Sequence, residues 1–445
     1  MSTEQRIVLV EPNSRMRPTN VGRLCEWQYL ERSILRMLAG WGRYMPGFYD
    51  KSAIHRFVWE QTECVQRLRD RLTQFPGDNV DSPVSRQLEE LANTVLLAPT
   101  PADAWDGIFR LLTGGLVTAY SQYAGSAHGV HDAPTIAVLH ELIGFKEQQR
   151  LWFRDYRRRN PHTTDRDYEE RVSRALVACE RLTVEEAAAP VGVKTDFRLP
   201  KKSHRDAVVD FRKDLWGWLM MDFPTDIEAR RLFWCYGYLM EKNIPDDQLI
   251  WLWSASDMPW DYQRDLARHL WDESRHGDSG CSRLLDFGIA LEEIGFPDYS
   301  DKGEDFLETM SPRELYDATF AIGMIAETAH FRVKQEAYQD FRDGGDLESA
   351  EMMLFDIIDE NAHVQYAHKW LPVLAQRAGI DNSDYKERAQ KMREEGQAGS
   401  LKNNAERARQ PRNADYHFTR HLIERMRRIK PLTNAGTCPP RSPLP

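Results

Sequence analysis

Two stretches of this chain set a carboxylate and an imidazole three residues apart: Trp271-Asp272-Glu273-Ser274-Arg275-His276 and Asp359-Glu360-Asn361-Ala362-His363. Both fall in runs with helical patterning, where Glu-x-x-His projects its two side chains from one face. One such pair is ordinary on a solvated helix. Here there are two, each preceded by Asp and each with a Glu one hairpin upstream: Glu241 stands 32 residues before Glu273, and Glu327 stands 33 before Glu360. Carboxylates and imidazoles together are ligands for divalent transition metals. Six such groups buried without cations would carry a large desolvation cost, so the pattern itself argues for metal.

The elements that must position them follow from the spacing. A hairpin turning near Ser256–Pro259 puts Glu241 and Glu273 about 16 and 15 residues from the turn, hence at one depth for a rise of ~1.5 Å per residue. A second hairpin, turning at Asp343-Gly344-Gly345-Asp346, does the same for Glu327 and Glu360. The expectation is an all-α protein whose residues 225–380 form a four-helix bundle. Thr225 is the expected N-cap of the first rod. The second is expected to run from Trp260 to about Ile294, with a crossover over 298–310. Ser311-Pro312-Arg313-Glu314 opens the third with an N-cap, Pro at N1 and Glu at N3, and the fourth covers Leu347 to Ala378. Pro245, four residues after Glu241, predicts a kink or a fresh helix there; Glu228 is the substitute acid if the register differs. Gly277 and Gly280 suggest either close packing or space for a substrate beside the metals.

Residues 1–188 read as a helical domain broken at Met45-Pro46-Gly47, Pro76-Gly77-Asp78 and Pro99-Thr100-Pro101. An arm with Ile7-Val8-Leu9-Val10 precedes it. This half can be laid over the second as a worn, metal-free repeat: Arg56 and Trp59 match Arg268 and Trp271, Gln61 replaces Glu273, and Cys64 replaces His276. Glu31 stands for Glu241 with a shift of two, while Gly115, Gln148 and Leu151 fall at Glu327, Glu360 and His363. Residues 189–224 form a linker with Lys201-Lys202 and a helix bearing Trp216 and Trp218. Residues 381–445 form a basic, partly helical tail, read either as a solvated arm or as a docking patch for an acidic partner, with its last fifteen residues unstructured.

Composition narrows the classes. The 445 residues are 41% hydrophobic, with 13 Trp and 16 Tyr, as suits a folded chain with a large core. A formal charge of −10 gives no general attraction to nucleic acid or anionic membrane. Six scattered cysteines without a Cys-x-x-Cys pair suit free thiols in a reducing, cytoplasmic setting. No run approaches 18 apolar residues, so no membrane span is expected.

The stretch Asp257-Met258-Pro259-Trp260, Asp265-Leu266-Ala267-Arg268 and Trp271 to His276 resembles bacterial members of the ferritin-like superfamily. The doubled Asp-Glu-x-x-His is similar to the motifs of diiron-carboxylate oxidases, including acyl-carrier-protein desaturases. That resemblance implies a ferritin-like bundle with a degenerate second half, holding two iron ions (or manganese and iron) with O2 as co-substrate. Glu241, Glu273 and His276 would hold one ion and Glu327, Glu360 and His363 the other, with Glu273 and Glu360 as bridges acting in catalysis and Asp272 and Asp359 orienting imidazoles. His330, in Glu327-x-x-His330, is an additional ligand and catalytic candidate, or alternatively a core histidine. Gly280 stands where a radical tyrosine would, against a tyrosyl-radical role. The implied function is hydroxylation, desaturation or N-oxygenation of a small organic substrate, with electrons from a separate reductase or ferredoxin and compatible with a homodimer. A ferroxidase, peroxidase or iron-handling protein is the alternative; a non-catalytic scaffold is a third.

Overall fold

A computed structural model of the chain describes residues 17–76, 80–81, 84–180, 197–200, 203–205, 215–295, 306–307 and 309–433. The Ile7–Val10 arm, Lys201-Lys202, most of the 298–310 crossover and the final residues of the tail lie outside them. The described residues are helical almost throughout; their strands are Leu199–Pro200 and Phe306–Leu307, paired antiparallel. No described helix is long and apolar enough to cross a membrane. The chain divides into two compact units, one of residues 1–41 with 60–198 and the other of 42–59 with 199–445. Residues 42–59, part of the first half in sequence, therefore group with the second.

Four rods of the second unit carry the sequence-predicted residues. Ile227–Glu241 starts at Asp226, whose side chain accepts from the amides of Glu228 and Ala229, one residue beyond the expected Thr225. It ends at Glu241, and Ile244–Ser254 begins afresh with Pro245 in its first turn, where the missing amide costs nothing. The second rod, Trp260–Asp286, stops eight residues short of the expected end, and Leu291–Ile294 forms a separate turn. The third opens at Pro312 with the full Ser311–Glu314 capping box. It is not uniform: Ala321–Ala326 is π-helical, and after Glu327–Ala329 the helix resumes at Phe331–Asp343. The fourth spans Leu347–Ala378 and ends at Gly379, whose φ of 66° is the left-handed cap that glycine adopts freely.

The core of this unit joins Leu232, Tyr236 and Leu239 of the first rod to Leu284, Phe341 and Met353 of the others. Gly280 permits the tightest approach: a Cβ there would lie 2.5 Å from the Cys235 carbonyl oxygen and 2.6 Å from the Leu239 nitrogen. At Gly277 a Cβ would meet Lys242 Cγ at 2.5 Å. Both glycines thus serve packing, and the substrate space expected beside them is filled by Lys242 and the neighbouring helix. The basic tail is not a free arm. It forms helices Tyr385–Arg407 and Ala414–Ile429, the latter burying Leu422, Ile423 and Met426 in the same core. Its arginines meet acids of this unit: Arg425 with Glu293 at 2.7 Å, and Arg420 and Arg427 with Asp226 at 3.0 and 2.9 Å.

Candidate metal centre

Glu273 lies at the middle of the second rod, 1% exposed, and is shared by two groups of metal-capable side chains. One is His269, Glu273, Glu327 and His363; the other is Glu241, Glu273 and His276, continued through His276 to Asp356 and Glu360. All six residues singled out by spacing therefore converge. Their grouping differs from the expected one: His363 joins Glu273 and Glu327, whereas Glu360 sits with His276 and Asp356. Glu241, although the last residue of its helix, reaches its level, with Oε2 3.2 Å from His276 Nδ1. Glu228 pairs instead with Arg231 at 2.7 Å.

Each imidazole is held from behind by the acid of the opposite motif. His276 Nε2 is 3.3 Å from Asp359 Oδ2, and His363 Nε2 is 3.4 Å from Asp272 Oδ2. Arg268 donates to Asp272 at 2.8 and 2.9 Å, and Arg275 reaches both Asp272 and Asp359. This brace turns each Nδ1 toward the carboxylates: His276 Nδ1 faces Glu241, Glu273 and Asp356, and His363 Nδ1 faces Glu273 and Glu327 at 3.6 and 3.5 Å. Fixing one ring nitrogen so that the other is presented is the usual support of a metal-bound histidine.

Three residues were missed by spacing alone. His269, one turn before Glu273, places Nε2 2.9 Å from Glu273 and 3.2 Å from Glu327 and stacks on His363 with centroids 3.7 Å apart. Asp356 holds the same place relative to Glu360. The i−4 interval puts both on the ligand face, which was the available signal. Lys334, seven residues after Glu327, puts Nζ 2.8 Å from Asp356 and 2.5 Å from Glu360. His330 joins neither group. Its Nδ1 is 3.2 Å from the Ala326 carbonyl and its ring stands edge-on to Trp234 at 6.3 Å.

Without cations the charges close on protons. Burial, and then the neighbouring Glu327, raise the acid of Glu360 far above its usual range. Burial lifts Glu241 to about 7. Burial opposes a charged His363, yet Asp272 and Glu327 raise it to about 9. These are groups pressed toward shared protons. Asp272 and Asp359 are balanced by Arg268 and Arg275. With the imidazoles neutral, as metal ligands must be, Glu241, Glu273, Glu327, Asp356 and Glu360 would face Lys334 alone, a surplus of four negative charges that two divalent ions could neutralise in place of those protons. Donor atoms are ready for them: Glu241 Oε2, His276 Nδ1, Glu360 Oε2 and His363 Nδ1 are sealed from water and make no hydrogen bond of good geometry, only charged contacts such as that of Glu241 with His276 at 3.2 Å. Buried polar atoms are seldom left so, and oxygen and imidazole donors of this kind fit iron or manganese.

The first unit has its own buried polar cluster. Glu31 accepts from Tyr120 Oη at 2.7 Å and meets Lys146 Nζ at 2.7 Å; Gln61 donates to Glu31 and accepts from Lys146 at 2.5 Å. Gln149 Nε2 donates to Glu60 at 3.1 Å. Lys146 and Gln149 thus face the cluster, two residues before the expected Gln148 and Leu151, which are exposed. This unit too has a π-helical stretch, Asp106–Leu112, and Thr113 rather than Gly115 follows it as Glu327 follows its counterpart. No protein-family model, curated protein or solved structure matches the chain.

Proposed function

We propose that the second unit houses a dinuclear metal centre, with iron as the first choice, that couples O2 reduction to oxidation of a small organic molecule. The reading rests on one observation: seven buried ligand side chains and the half-buried Glu241 converge around Glu273 with their ligand atoms facing one another. Two bound ions would supply the redox equivalents and a Lewis-acid surface for O2. The chain does the rest. Glu273 links both ligand groups, and a carboxylate can bridge. Asp272 and Asp359 hold Nε2 of each histidine so that Nδ1 is free to ligate. Lys334 fixes Asp356 and Glu360 and tempers the negative charge. The rods exclude water, so charges inside interact more strongly than in solvent. Two reducing equivalents must come from the substrate or from a separate reductase or ferredoxin, since no cofactor motif in the sequence supplies them.

The test is anaerobic Fe(II) loading followed by air. Expected are two irons per chain, transient near-ultraviolet and visible absorption, and loss of both in Glu273→Ala. Oxidation of iron far beyond two equivalents would instead favour the ferroxidase reading. Equal metal content in wild type and Glu273→Ala would remove the centre altogether.

A further inference from the structure

A cleft with at most about 380 Å³ of empty space, open solvent at its mouth included, is lined at its inner end by His269 and His363 of the centre. Its walls are Trp251, Tyr262, Leu266, Ile322, Tyr366 and Trp370. The third rod shapes it. The π-helical segment brings Ile322 and Gly323 to the wall, and a Cβ on Gly323 would lie 2.4 Å from Ala367 Cβ. π-Segments often mark functional sites because they displace one turn of side chains. Arg393 supports this one from outside, donating to the Met324 carbonyl at 2.5 Å and Thr328 Oγ1 at 3.0 Å.

The chemistry of the wall is set by what its polar groups already touch. Asp265 Oδ2 accepts from Lys369 Nζ at 2.7 Å and from Trp370 Nε1 at 2.8 Å, so neither its charge nor the indole N–H is left for a guest. The Tyr262 hydroxyl is hydrogen-bonded to Thr319. His269 Nε2 is turned away toward Glu273 and Glu327. A guest would meet aromatic faces and aliphatic carbon. An anion would find no unpaired cation among the lining residues, and a cation would find the one carboxylate already neutralised. Burying a charge under those conditions is strongly unfavourable.

We infer that this cavity is the substrate site of the centre and takes a small neutral, apolar molecule, one aromatic ring at most, whose C–H bonds face the ion held by His269, Glu327 and His363. The inference rests on the metal reading of the previous subsection, and its test separates the two. Toluene, benzoate and benzylammonium serve as isosteric probes of the full-length chain by ligand-observed NMR, and manganese content is measured on the same sample. Toluene should bind, with benzoate and benzylammonium weaker by ~100-fold. With Mn(II) loaded, the toluene protons should relax faster than in chelator-treated protein. Ile322→Trp, which fills a half-buried wall position, should weaken toluene at least tenfold at unchanged manganese content. Leu266→Ala should shift preference toward naphthalene.

Toluene binding that ignores both substitutions overturns the site, as does charged probes binding as well as toluene. Absence of toluene binding in protein that holds two manganese ions overturns the pocket and leaves the centre. Toluene binding in protein that holds no manganese overturns the centre and leaves the pocket. Toluene bound beside a confirmed manganese pair without relaxation enhancement overturns the assignment of this cavity to the centre.

Discussion

The two units meet a buried glutamate in opposite ways. In the first, Glu31 is answered inside the protein, by the Lys146 ammonium, the Gln61 amide and the Tyr120 hydroxyl. In the second, the Lys334 ammonium and the imidazoles of His269, His276 and His363 stand among five carboxylates. The helical setting is alike: an acid precedes the central residue in each, and Glu60 receives Gln149 as Asp272 receives His363. What differs is charge closure. The first cluster balances itself with a fixed ammonium; the second takes its balance from protons on Glu360 and His363 or, in the reading proposed above, from bound ions.

The largest effect should come from breaking the balance in the first unit. Lys146→Met leaves Glu31 buried without its counter-charge, which costs about 3–5 kcal/mol. Chemical denaturation should register that loss, and adding Glu31→Gln should recover most of it. A cost below ~1 kcal/mol would mean that the ammonium is not what settles this cluster. Iron stoichiometry should not change in either variant.

Next in size is removal of the ions from the second unit. A ligand at a hundred times its Kd stabilises by about 2.7 kcal/mol, so chelation should lower the thermal midpoint by several degrees. Glu273→Ala should be insensitive to chelator. If wild type is equally insensitive, Lys334 and shared protons settle the second cluster as Lys146 settles the first.

Much of this arrangement is legible in the residues. The four rods, the Ser311 capping box, the turn at 343–346 and the fresh helix at Pro245 follow from local rules about caps, proline and glycine. The convergence of Glu241, Glu273, Glu327 and Glu360 follows from hairpin arithmetic. What was not legible depends on contacts between rods. Lys334 looks like any surface lysine until Asp356 and Glu360 surround it. The pairing of His363 with Glu327 rather than with Glu360 depends on how far each rod is rotated, and the π-segment at Ala321–Ala326 changes that rotation without a sequence mark. Gly277 and Gly280 were ambiguous for a related reason: a glycine reports that something is close, and only the fold identifies it as Lys242 or a backbone.

The smallest effect tests whether the shared brace has acquired a task in the second unit alone. Asp272 receives Arg268 and Arg275 and lies behind His363. Burial by itself would raise its acid, yet the hydrogen bonds to His363 and Arg268 hold it far below the usual carboxylate range. Asp272→Asn keeps the shape and removes the charge that fixes the tautomer and orientation of the ring, so metal affinity should fall by about 10–100-fold with the fold retained. Glu60→Gln makes the equivalent change in the first unit. There the partner is the Gln149 amide, no ion depends on it, and an amide oxygen can still accept the bond. Stability should therefore change by no more than about 1 kcal/mol, and metal content not at all. Comparable losses of metal in both variants would mean that the brace supports the fold generally. A loss confined to Asp272→Asn would tie it to presentation of His363 Nδ1, the one function that the first unit's cluster has no ligand to perform.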